Sequence, residues 1–125
     1  MADIQNEGLF MYGNISKSAV AAGRNAKATN TIRDASVKLR DEGLEELAAR
    51  LEELTAALAA AQGQLGEAFE DIQDQAEDVA EELARDEPRK SRLTRLLKGI
   101  AEGARDVAGV VNAAHALADA VRGVL

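Results

Sequence analysis

The side chains best equipped for chemistry in this chain are carboxylates. Between Glu67 and Glu87, ten acidic residues fall within 21 positions. A carboxylate-bridged pair of metal ions in a helical bundle needs inward-facing glutamates and an E-x-x-H motif on facing helices. The chain has a single histidine, His115, and it stands outside that run. A solvated acidic face, paired with basic neighbours, accounts for the run instead. His115 falls on the flank of an apolar seam with no serine, cysteine or carboxylate cluster to work with it, so it reads as a packing or surface histidine. Gly13 and Gly23 raise the question of a phosphate cradle, but the G-x-x-x-x-G-K-S/T pattern is absent. With no cysteine, thiolate metal sites, cysteine nucleophiles and disulfides are excluded. No catalytic, cofactor-binding or metal-ligating residue emerges, and the expectation is a non-enzymatic protein without a cofactor.

The elements that would carry these residues follow from composition. Of 125 residues, 26 are alanine and three are aromatic: Phe10, Tyr12 and Phe69. A core of Leu, Val, Ile and Ala suits closely packed helices better than a ligand-sized pocket. A chain of this length buries only about two-thirds of its unfolded surface. With such small side chains, association with another copy or a partner is expected to complete the fold.

The start "MADIQNEG" is no secretory signal, because it has no basic segment leading into an apolar run. The most apolar window, residues 107–125, still holds Asn112, His115, Asp119 and Arg122, which argues against a membrane span. The expected location is cytoplasmic.

Net charge is −7, distributed in blocks of +2 over residues 1–33, −13 over 34–87 and +4 over 88–125. An acidic middle followed by a basic segment predicts internal pairing. A nucleic-acid partner is not expected, since no basic face dominates.

The fold class expected is mainly α, a helical hairpin or bundle with heptad seams, preceded by a short N-terminal β element. Leu44, Leu47, Leu51, Leu54, Leu58, Ala61, Leu65 and Ala68 recur in steps of three and four, a heptad seam. Two successive steps of four then lead to Phe69, a stutter, and "GQLG" at 63–66 predicts a break or kink at that point. Pro88 marks a turn before the last helix. That helix shows a strict four-three seam through Leu93, Leu97, Ile100, Ala104, Val107, Val111, Ala114, Ala118, Val121 and Leu125. The packing bets within it are Leu97, Ile100, Val107, Val111 and Val121. Leu96, Gly103, Val110, Leu117 and Val124 add a second stripe. The helices are placed at about 34–62, 66–86 and 89–124 within a helical domain 34–125, after a leader 1–33. A short turn at Pro88 makes the last two helices antiparallel. It would carry Glu70, Asp78, Glu81 and Glu82 past Arg92, Arg95 and Lys98.

The leader differs in character. Residues 8–16 carry no charge until Lys17 and include Leu9, Phe10, Tyr12, Gly13 and Ile15, a composition that favours a strand. "FMYGNISKSA" at 10–19 is echoed by "VAAGRNAKAT" at 20–29, with Gly13 matching Gly23 and Lys17 matching Lys27. Two strand-turn units are the expectation. "AVAAGRNAKAT" resembles the head repeat of trimeric autotransporter adhesins, S-V-A-I-G-x-x-A-x-A, through Val20, Ala21, Gly23, Ala26 and Ala28, over about ten residues. Ala19 and Ala22 stand where that repeat has serine and isoleucine. The resemblance implies a β-coil geometry above a helical stalk.

Residues 44–125 are similar to small helical C-terminal modules of uncharacterised proteins from high-GC bacteria. That likeness implies an accessory or association role, with an effector protein as one candidate partner. The function expected is therefore an oligomerisation or adaptor module. Leu9, Phe10, Tyr12, Gly13, Ile15, Val20 and Gly23 would form the assembly element, and a homo-oligomer, trimer before dimer, is expected. The alternative is a surface adhesin fragment with a β-roll head and coiled-coil stalk.

Overall fold

A computed structural model of the chain describes the backbone from residue 12 to residue 125, and side chains from residue 27. Six helices follow in order: α1 Tyr12–Asp41, α2 Glu45–Ala60, the single turn α3 Gln62–Leu65, α4 Ala68–Leu83, α5 Lys90–Gly103 and α6 Ala108–Val124. The chain is mainly helical, as expected, with no strand among the described residues.

Among the described residues, α1 packs on α2 and α4, α4 on α5, α5 on α6, and α6 back on α2, so the five longer helices close a ring. Thr31 reaches Glu77 and Lys38 reaches Ala84, which makes α1 and α4 parallel neighbours. Ser36 meets Glu52, Gly99 faces Gln75 with Gly103 facing Ile72, and Lys90 meets Arg122. These contacts set α2 against α1, α5 against α4 and α6 against α5 in antiparallel sense.

The heptad leucines of α2 are the floor of this ring. Leu47, Leu51 and Leu54 are fully buried and Leu58 nearly so, facing Ile32, Ala35 and Leu39 of α1 within one core. Leu93, Leu97 and Ile100 do the same for α5. Alanines complete the surface, and small residues let the helices approach closely. A Cβ placed on Gly103 would lie 3.3 Å from Cγ1 of Ile72, so the α4–α5 contact there depends on the missing side chain.

The helices are shorter than the periodicity implied, and two boundaries need correction. The helix expected over 34–62 is two. α1 ends at Asp41, and Gly43 just past it has a left-handed φ of +81°. The Leu44 N–H donates to Leu39 O at 2.8 Å and the Gly43 N–H to Arg40 O at 3.1 Å. This paired arrangement stops a helix with glycine one place past its cap. The apolar Leu44 that follows packs against the core.

The helix expected over 89–124 is also two. It breaks at residues 104–107, where Val107 is extended (φ −119°, ψ 94°). An unbroken helix of 36 residues would run about 54 Å, more than twice the roughly 24 Å that α4 offers. Reversing the chain lets the two halves of the seam cover each other. After the break the buried face is Val110, Ala114, Leu117 and Val121. Val107 and Val111, counted in the seam by an uninterrupted four-three pattern, are therefore half-buried at its edge, whereas Leu97, Ile100 and Val121 are buried as expected.

At "GQLG" the chain does break. Gly66 sits at φ +56°, ψ −124° between α3 and α4. The Pro88 turn, from Ala84 to Arg89, separates α4 from α5 near its expected place.

α1 crosses the leader boundary set at residue 33, and Ala28 and Ile32 ahead of it are core residues. The assembly residues Leu9 and Phe10 lie outside the described residues. Tyr12, Gly13, Ile15, Val20 and Gly23 fall on the helical backbone of α1, with side chains outside the description.

The corrected register has a direct test. Val110→Asp places an unpaired charge in the core and is expected to cost several kcal/mol. Val111→Asp, at the seam's edge, is expected to cost clearly less. Paired thermal melts check this, and equal losses would show that the face of α6 is misassigned.

Candidate functional site

The acidic run resolves into one buried carboxylate and an outer face. Glu82, next to the end of α4, is 2% exposed although its neighbours Glu81 and Arg85 face solvent. The α4–α5 turn wraps around it. The Arg89 backbone N–H donates to Oε2 at 2.8 Å, and the Arg89 guanidinium lies 3.2 Å from Oε1. Arg92 approaches Oε1 at 3.2 Å, and Arg85 lies 3.8 Å from Oε2. Burial pushes the Glu82 carboxyl up, but the Arg89 backbone and guanidinium bonds, with Arg85 beside them, outweigh it and hold the group below the usual carboxylate range.

Two further polar ties fix α1. The Ser36 hydroxyl, buried, donates to Glu52 Oε2 on α2, while Arg40 donates to Oε1 at 2.7 Å. The Ser36 hydroxyl first, and Arg40 second, lower the Glu52 carboxyl against the opposing effect of burial. Lys38 donates to the Ala84 carbonyl at the end of α4 and lies 3.5 Å from Asp86. Such a cation suits the negative end of a helix. All three clusters hold helices together, with their charges spent on each other. Among the described residues, no group of three or more His, Asp or Glu is arranged to hold a metal ion.

The surface feature left over is a groove between α5 and α6. One part, about 430 Å³, is lined by Arg95, Leu97, Lys98, Ala114, His115 and Ala118, with Thr94 and Arg122 at its end. It continues past Lys98 and His115 into a wider, shallower part of about 570 Å³ beside Ala101, Glu102, Arg105 and Val111. The floor is made by small or already buried residues, so the groove is open where larger side chains would have filled it. Its rim is basic. Arg95, Lys98 and Arg105 are exposed and take part in no ion pair among the described residues. By contrast Arg40, Arg50, Arg85, Arg89 and Arg92 each approach a carboxylate.

Of the expected pairing across the second turn, Glu82 with Arg92 forms among the described residues, while Arg95 and Lys98 line the groove beside α6. His115 is exposed at the middle of the groove, as one of the two placements expected for it. The packing residues Leu97 and Val111 border the same groove from below. The groove escaped sequence reading because it exists only once the last helix folds back on itself. Gly103 and Gly109 on either side of "ARDVA" were the available signal.

No protein-family model matches the chain, no curated protein matches it, and no solved structure does. Among the described residues, no helix is long and apolar enough to cross a membrane.

The charge cluster predicts acid sensitivity. The folded Glu82 carboxyl titrates below its ordinary value near 4.3, so its contribution is complete above that pH and is lost as pH falls through the lower folded value. Glu82→Gln is expected to lower stability at pH 7 by about 1–3 kcal/mol and to flatten the loss of stability below about pH 5. Urea midpoints measured at pH 7, 5, 4 and 3 check both, and an unchanged pH profile would remove Glu82 from this role.

Proposed function

We propose that this protein is a non-enzymatic association module that binds further copies of itself, with the α5–α6 groove as the receiving surface. One observation carries the reading: Arg95, Lys98 and Arg105, without ion-pair partners among the described residues, stand over a floor of small or buried apolar residues. A protein of net charge −7 has carboxylates in excess, yet these three cations are left for a ligand outside the described fold. An open floor with a charged rim is the arrangement of a polypeptide interface, in which apolar burial supplies affinity and complementary charge supplies orientation. The assembly element remains the leader around Leu9, Phe10 and Tyr12, in a closed cyclic oligomer as is usual for identical chains. Three copies are favoured over two by the resemblance of residues 19–29 to a trimeric head repeat.

Light scattering against concentration tests this. The mass should exceed the 13.2 kDa of one chain, fall as salt rises toward about 1 M, and fall further with Lys98→Glu and Arg105→Glu together. A mass of one chain at every concentration would overturn the reading.

A further inference from the structure

Resting on that reading, we infer that the occupant of the groove is the segment before α1, residues 1–11, of a second copy of this chain. Four observations converge on it.

The first is charge. "MADIQNEGLFM" contains Asp3 and Glu7 and no lysine or arginine, whereas the groove presents Arg95, Lys98 and Arg105 against one lining carboxylate, Glu102. The second is bulk. The segment carries Ile4, Leu9, Phe10 and Met11, while the groove's apolar floor is Ala101, Ala114 and Ala118 beside Leu97 and Val111, with no Phe, Tyr or Trp among its lining residues. Each supplies what the other leaves out.

The third is length. Eleven extended residues reach about 36 Å, and the 14 residues of α5 run about 21 Å, so the segment spans the groove. In extended chain Asp3 and Glu7 are about 13 Å apart, and the groove offers them two separate cations, Lys98 on α5 and Arg105 just past its end.

The fourth separates a second copy from the same chain. Among the described residues α1 packs on α2 and α4 and not on α5 or α6, so it stands across the ring from the groove. Sixteen residues of α1 separate Tyr12 from Ala28, the first described core residue, a rise of about 24 Å. A leader returning to its own groove would cover that rise and two helices at about 8–10 Å each, a line of about 30 Å, so nearly all of its roughly 36 Å would be used before it could lie along the groove. The leader of another copy has no such constraint.

The absence of cysteine makes a disulfide test clean. Full-length Leu9→Cys is mixed with separately tagged full-length His115→Cys and oxidised, alongside a control pairing Leu9→Cys with Glu53→Cys, exposed on α2. The expected result is a linked pair of unlike chains in several-fold excess over the control. Lys98→Glu with Arg105→Glu should lower the yield several-fold, and Asp3→Lys with Glu7→Lys in the other chain should restore it. A yield equal to the control overturns the inference. So does a link formed within one chain when both cysteines are placed together, read as a fast-migrating monomer. The mass measurement keeps the two readings apart. Mass above one chain without the linked pair leaves self-association standing and removes the leader from the groove, whereas a one-chain mass ends both.

Discussion

The turn built around Glu82 is the constraint from which the rest of this structure follows. A carboxylate that is 2% exposed beside a helix end would be costly alone. Here three arginines and a backbone N–H from the next turn meet it. The partners stay partly in water while the acceptor does not, so the ions on the outside remain solvated and the bond directions are still fixed. Arg89 precedes α5 and Arg92 lies in its first turn. Their engagement sets the direction in which α5 leaves α4, and hence the line along which α6 returns. The groove is a consequence of that direction.

The same balance explains why the ring is made of short helices. Alanine-rich faces gain little per residue by burial, so each helix needs cover on more than one side. Leu47, Leu51 and Leu54 gain it by lying between α1 and α6, and Leu93, Leu97 and Ile100 by lying between α4 and α6. Close approach is the compensation for small side chains. Gly99 and Gly103 take part in it against Gln75 and Ile72.

Periodicity was a reliable guide to which residues are apolar and inward in α2 and α5, because there the spacing and the helix coincide. It was silent on chain reversal. The seam across residues 93–125 repeats without fault, yet the helix stops at Gly103, since a heptad pattern records a buried stripe and not the continuity of the backbone beneath it. Gly43 followed by Leu44 was a stop signal of known chemistry, outweighed by the leucine repeat beginning at the same point. The candidate groove was less legible still: its lining runs from Arg105 and Val111, 6 residues apart, to Thr94 and Arg122, 28 apart, and its cations looked like partners for α4 until α6 took their side. His115 was legible only as a choice between packing and surface placement, which burial then decided, whereas internal acid–base pairing was expected outright and Glu82 with Arg92 is a part of it that forms.

The ring also has a bearing on how the chain folds. Three of its five contacts join helices that follow one another in sequence, α1 with α2, α4 with α5 and α5 with α6. Local contacts of this kind form fast. The other two, α1 with α4 and α2 with α6, bridge long stretches of chain, though the entropy of closing a loop grows only slowly with its length. The natural order is therefore two hairpin-like pieces first and their union second. The parallel pairing of α1 with α4 belongs to that second step, and the bond from Lys38 to the Ala84 carbonyl is made only when it is complete. One lysine thus reports on whether the two halves of the molecule have met.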